Sequence, residues 1–288
     1  MKPIRGVLTA MATPFGADGA VDLAGARRLA AHLIDHGSHG LVIAGTTGES
    51  PTLSDDEKLA LLREVKEELG DDASLILGTG SNDTRHSVQL TERAAEAGAD
   101  AALVVTPYYN KPNFEGLLAH YAEVDAVGLP IVLYNIPSRV VVNIDPQGLA
   151  EIGRLENVVA VKQANDDELG PVEGIDVLAG NDSVFLRTLE FGGAGGILVA
   201  THLVGAQMRE IWNAFAEGDH GRARRIDAAL APVYAAVSVT NPITVKAGLG
   251  MLGIIDERMR LPLVPAGEPE RAAVRAALED AGVLARAG

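Results

Sequence analysis

Cysteine is absent from this 288-residue chain. Its absence excludes disulfides, thiolate nucleophiles, iron–sulfur clusters and zinc sites built on sulfur. Basic charge is scarce: 24 Lys and Arg stand against 39 Asp and Glu, a net charge of −15. Nucleic acids and anionic membranes both recruit basic surface, so neither is an expected partner. The apolar runs stop well short of the ~18 residues that a spanning helix needs. The opening Met1-Lys2-Pro3-Ile4-Arg5-Gly6 carries no hydrophobic stretch of the secretory type. A soluble, cytoplasmic protein is therefore expected. Aromatic residues make up only 4%, so the placement of each tyrosine carries information.

Hydrophobic residues make up 47%, enough for one large domain or a domain with an appendage. Short β-branched runs alternate with longer helical patterns. Strands are predicted at 6–12, 40–45, 74–79, 101–106, 130–136, 157–163, 175–180 and 194–200. Helices are predicted at 22–36, 55–69, 84–97, 115–126, 146–154 and 183–191. Ser54 ahead of Asp55-Asp56-Glu57 reads as a capping box, with Gly70 at the far end; Asp83 and Gly98 bracket the next helix. About eight such βα units point to a parallel (β/α)8 TIM barrel. A doubly wound open sheet is the alternative, but no G-x-G-x-x-G follows the first strand. The sixth unit is short, with only Asn165 to Gly174 between its strands. After residue 218 the alternation stops, and 219–238, 242–252 and 268–285 read as helices. The expected division is a catalytic barrel at 1–218 and a C-terminal helical appendage at 219–288.

Lys162 is the most unusual residue. It ends the apolar run Val158-Val159-Ala160-Val161, where an ammonium would lose its water at a high cost. Burial favours the free amine of a lysine, the form that attacks a carbonyl to give a Schiff base. The bland alternative is a strand-end lysine that reaches solvent or pairs with a carboxylate. Other strand ends carry suitable partners. Gly45-Thr46-Thr47-Gly48-Glu49-Ser50 offers N–H and O–H groups to a small anion, or is a simple tight turn. Val105-Thr106-Pro107-Tyr108-Tyr109-Asn110 places two scarce tyrosines together, for chemistry or for rim packing. Tyr134-Asn135-Ile136-Pro137-Ser138-Arg139 supplies a phenol that can move protons and a guanidinium that can grip a carboxylate. Functional groups of a TIM barrel gather at the C-terminal ends of its strands, so these segments should share one pocket. Together they suit Schiff-base chemistry on an α-keto acid. No His, Asp or Glu cluster has metal-ligand spacing, and the lone His202 is expected to be structural. No serine sits in a G-x-S-x-G elbow.

These motifs, in this order and over essentially the whole chain, resemble the dihydrodipicolinate synthase family of pyruvate-dependent class I aldolases, relatives of N-acetylneuraminate lyase. Thr201-His202-Leu203 and Asn241-Pro242-Ile243-Thr244-Val245-Lys246 also look like family segments. The resemblance implies that Lys162 forms an imine with pyruvate and that no other cofactor or metal is needed. It implies a proton relay of Tyr134, Thr46 and Tyr109, with Tyr109 reaching into a neighbouring subunit. Thr47 would bind the pyruvate carboxylate, the Ile197 carbonyl would line the pocket, and Arg139 would meet L-aspartate 4-semialdehyde. The implied product is 4-hydroxy-tetrahydrodipicolinate, in lysine and diaminopimelate biosynthesis, and the implied assembly is a homotetramer of two tight dimers. The chain departs from the family pattern at Val140-Val141, Gln163-Ala164-Asn165, Asn181 and Leu198. These departures leave a pyruvate-forming aldolase or dehydratase of sugar-acids as the alternative. A non-catalytic ligand-binding paralogue is disfavoured by the retention of Lys162 and Tyr134. Lysine-sensitive relatives bind L-lysine near the glycine turn. Ser50, Asn82 and Tyr108 match that site, whereas Asp55, Lys58 and His86 do not, so L-lysine is expected to inhibit weakly or not at all.

Overall fold

The computed structural model describes residues 2–285. Eight parallel strands close into a barrel in sequence order: β1 (Gly6–Ala10), β2 (Gly40–Ile43), β3 (Ser74–Gly78), β4 (Ala101–Val105), β5 (Ile131–Asn135), β6 (Val158–Gln163), β7 (Asp176–Ala179) and β8 (Gly195–Leu198). All eight predicted strands are present. The seam pairs Gly6 with Gly195 and Leu8 with Ile197. Gly195 has φ +136, and a Cβ there would lie 2.1 Å from the Gly6 carbonyl oxygen, so only glycine lets β1 and β8 meet.

The period of two along each strand sorts its side chains. Leu8, Ala10, Val42, Ile76, Leu103, Val132, Tyr134, Ala160, Leu178 and Ile197 face the barrel interior. Val7, Leu41, Leu75, Val104, Leu133 and Val161 face the helices. Lys162 therefore shares the inward face of Ala160, two residues before it.

The outer layer comprises α1 (Leu23–Asp35), α2 (Asp55–Leu69), α3 (Thr84–Glu96), α4 (Phe114–Asp125), α5 (Pro137–Val140), α6 (Pro146–Ile152), α7 (Phe185–Glu190) and α8 (Thr201–Ala216). Both halves of the Ser54–Glu57 capping box form, and Asp83 caps α3 through the Arg85 N–H. Between β6 and β7 there is only a 3₁₀ turn, Asp166–Glu168, as the short spacing required. The chain closes with α9 (His220–Ser238), α10 (Ile243–Met251) and α11 (Glu268–Asp280).

Two local expectations need correction. Helix α11 stops at Asp280 rather than at 285, because Gly282 at φ +70 turns the chain. The Gly282 and Val283 N–H groups cap the Glu279 and Leu278 carbonyls in a Schellman closure. Residues 137–140, assigned to no element from the sequence, form the one-turn helix α5 with Pro137 at its first position, where a missing N–H costs nothing. Among the described residues, no single helix is long and apolar enough to cross a membrane.

Candidate active site

Strand register builds the centre of the site. Tyr134 on β5 lies directly opposite Lys162 on β6, and Val105 at the end of β4 lies opposite Tyr134. Both inward side chains are only 4% exposed. The Lys162 Nζ stands 4.4 Å from the centroid of the Tyr134 ring. Among the described residues it makes no hydrogen bond or ion pair, so the negative face of the phenol ring is its neighbour rather than a carboxylate. The snorkelling and ion-paired alternatives for this lysine do not hold.

The glycine turn after β2 brings Thr46 and Thr47 to the same end of the barrel. Its entry depends on Gly78, where a Cβ would lie 2.2 Å from the Ala44 carbonyl oxygen. Ala44 and Glu49 both take the left-handed conformation, at φ +53 and +56. Thr47 is 1% exposed, and its Oγ1 accepts a hydrogen bond from the Asn241 Nδ2 at 3.0 Å. With the amide donating, the threonine's own O–H is left to point at an anion. Arg139, exposed on α5, donates from Nη2 to the Asn241 carbonyl at 3.1 Å and keeps its other N–H groups for a carboxylate.

A cavity of about 510 Å³ opens at this end, lined among others by Gly45, Thr46, Tyr108, Tyr134, Ile136 and Arg139. Thr46, Tyr134 and Arg139 are thus brought together. Lys162, Thr47 and Ile197 lie outside the cavity's lining. Ile197 is fully buried on the inward face of β8. Tyr109 is not part of the pocket of its own chain: it is 89% exposed at φ +74, whereas Tyr108 lines the cavity. At its far side the cavity reaches Asp55, Lys58 and His86. The Asp55 carboxylate receives the His86 Nε2 at 2.8 Å and the Lys58 Nζ at 3.7 Å. Burial pushes the Lys58 ammonium down from its ordinary range, and Asp55 partly restores it. His202 is structural as expected: its Nε2 accepts from the Ala12 N–H at 3.0 Å, Nδ1 faces the Val199 carbonyl, and burial pushes it down to about 4.

The sequence pattern of the dihydrodipicolinate synthetase family matches residues 3–281. The chain belongs to this family. A 4-hydroxy-tetrahydrodipicolinate synthase of Moorella thermoacetica is 46% identical over 288 residues, which cover 96% of this chain and 98% of that one. The dihydrodipicolinate synthase from Thermotoga maritima superposes with a TM-score of 0.94 at 38% identity, over 97% of this chain and 99% of its own. The chloride-inhibited dihydrodipicolinate synthase from Acinetobacter baumannii, solved in complex with pyruvate, also gives 0.94, at 34% identity over 98% and 100%.

For this dihydrodipicolinate synthetase family member, sequence reasoning missed three groups. Asn241 touches both Thr47 and Arg139, although the sequence showed it only as part of a matching segment. Lys246 on α10 pairs with Glu49 of the glycine turn at 2.7 Å, both side chains 0% exposed. Asp182, just after β7, accepts the Val199 and Ala200 N–H groups at 2.9 and 3.0 Å and so ties the end of β7 to that of β8. Burial pushes its carboxyl up, and those N–H groups together with Lys162 oppose the shift. No local signal marks these partners, because each acts on residues far away in sequence.

Proposed function

We propose that this protein condenses pyruvate with L-aspartate 4-semialdehyde to give 4-hydroxy-tetrahydrodipicolinate, in lysine and diaminopimelate biosynthesis. The observation that carries the reading is an unpaired, buried lysine in register with a tyrosine, beside a cavity that holds a threonine and an arginine. The names of the relatives favour this condensation over cleavage of a sugar-acid.

The Lys162 Nζ attacks C2 of pyruvate, and loss of water gives the imine. Removal of a proton from C3 gives an enamine, whose carbon attacks the aldehyde of the second substrate. The amine of that substrate then closes on C2, expels the Lys162 Nζ and forms the ring. Protons move through Tyr134 and Thr46, with Tyr109 supplied by a neighbouring subunit, which suits its exposure in the single chain. Thr47 holds the pyruvate carboxylate and Arg139 that of the semialdehyde, with the Ile197 carbonyl near the imine carbon. The imine itself draws electrons from C3, so this chemistry asks for no metal or added cofactor. In this reading residues 1–218 are the catalytic barrel, 219–288 the helical appendage, and the assembly is a cytoplasmic homotetramer.

Borohydride reduction in the presence of pyruvate tests the reading. It should leave one reduced pyruvyl group, located on Lys162 by peptide mass, and a coupled assay with L-aspartate 4-semialdehyde should show turnover. Trapping that survives in Lys162→Ala would sink the assignment.

A further inference from the structure

The deepest ion pair among the described residues lies outside the groups assigned above. The Lys246 Nζ, on α10, donates to the Glu49 Oε1 at 2.7 Å, to the Thr13 carbonyl at 2.9 Å and to the Arg258 carbonyl. Both charged side chains are 0% exposed. The other carboxylate oxygen of Glu49 accepts the Arg260 N–H at 3.1 Å. Arg260 further holds the Thr52 carbonyl at 2.8 Å, and the Thr13 hydroxyl donates to the Gly48 carbonyl at 2.7 Å. The aromatic face of Phe15 lies 4.6 Å from Lys246 and 4.7 Å from Arg260. Through Glu49 and the Gly48 carbonyl the cluster holds the turn that carries Thr46 and Thr47, while Arg260 also pairs with Glu57 on α2 and holds the Gly19 carbonyl.

A buried pair of this kind is weak evidence for stability, because dehydrating two charges costs about as much as their attraction returns. Its hydrogen bonds are strict about geometry, however. The Lys246 ammonium has three donors, and all three are taken by acceptors fixed on different segments. Glu49 is held in a left-handed conformation that a non-glycine residue adopts only when its surroundings require it. The Glu49 N–H closes back on the Thr46 carbonyl at 3.1 Å, so fixing Glu49 fixes the threonines before it.

We infer that the Lys246–Glu49 pair is a positioning device through which the C-terminal helices set the shape of the pyruvate-carboxylate subsite. Lys246 never meets substrate; it locks the backbone from which Thr46 and Thr47 do. The inference rests on the reading that this turn binds pyruvate.

The test uses the full chain, with Lys246→Met alone and with Glu49→Gln/Lys246→Met, which leaves no buried charge unpaired. In both folded variants KM for pyruvate should rise about ten-fold, the loss of one well-placed polar contact, while KM for the semialdehyde stays within about two-fold. Relief of the stranded charge should make the double variant melt higher than the single one without restoring the pyruvate KM. A purely structural pair would lower the melting temperature and leave the ratio of the two KM values alone. Such a result overturns the inference, and if the single variant does not fold, the double one carries the test. Hydrogen exchange on the unmodified protein needs no variant. The Glu49 and Ser50 amides should exchange as slowly as those of the barrel strands, and exchange at the rate of an open loop overturns the inference. Failure of the unmodified protein to trap pyruvate would instead overturn the functional reading, and the exchange result would still judge the lock.

Discussion

Val141 sits where a valine should not. It follows α5 at φ +71 and ψ −34, with its side chain 66% exposed. A β-branched residue at positive φ forces its Cβ against the backbone, and so little of this side chain is covered that packing cannot compensate for much. Replacement by glycine alone would mix relief of strain with loss of the few contacts that the methyl groups make. Val141→Gly measured against Val141→Ala cancels those contacts and isolates the backbone. At ordinary dihedrals alanine is the more stable of such a pair by about 0.5–1 kcal/mol, because glycine is freer in the unfolded chain. In the left-handed region the order reverses, since a Cβ costs roughly 1–2 kcal/mol there. The net preference for glycine at this site should be about 0.5–1 kcal/mol, or some 1–4 °C in melting temperature for a chain of this size. Thermal melts of the two variants in one buffer decide it. If Val141→Ala melts above Val141→Gly, the strain argument is wrong.

Three further outcomes follow from the site and its surroundings. Neither Tyr109→Phe nor Lys162→Ala should be active alone, but mixed oligomers should recover part of the activity; no recovery despite proven subunit exchange would place Tyr109 within its own chain's pocket. L-lysine should inhibit only at millimolar concentrations or above, because Asp55 is already engaged by His86 and Lys58; half-inhibition at micromolar concentration in the coupled assay would refute this. Burial pushes His39, His120 and His202 each from 6.5 down to about 4. In that window the unfolded chain binds protons that the folded one refuses, so stability is full above about pH 6.5 and falls as pH drops towards 4. The fully buried His202 alone contributes about 3 kcal/mol to that loss. Melting temperatures between pH 7 and pH 4.5 that stay level would contradict it.

The barrel was legible because each strand is a short apolar run, and because Ser54 and Asp83 can cap the first turn of a helix while Gly98 takes the positive φ that ends one. Lys162 was legible as a candidate for the opposite reason: it breaks the apolar pattern around it, and functional sites are where such breaks are expected. What stayed hidden depends on contacts between distant segments. Lys246 and Glu49 are 197 positions apart, and Asn241 reaches Thr47 over 194. In the sequence a lysine on a C-terminal helix is one surface cation among many. Only the packing of α10 under the glycine turn removes it from water. Tyr109 was readable as a tyrosine at a strand end, but its exposure, outside the cavity that Tyr108 lines, was not.

The surroundings of Lys162 and Lys246 also decide which of these two buried amines can react. Lys246 gives all three of its protons to acceptors, and its conversion to an imine would take from the Glu49 carboxylate its ion-pair partner at 2.7 Å. Lys162 rests against an aromatic face. An electrophile that takes its lone pair breaks no hydrogen bond and no ion pair. Selectivity for one amine over the other is therefore written in their neighbours before any substrate arrives: the lysine with the fewest obligations is the one free to form a bond.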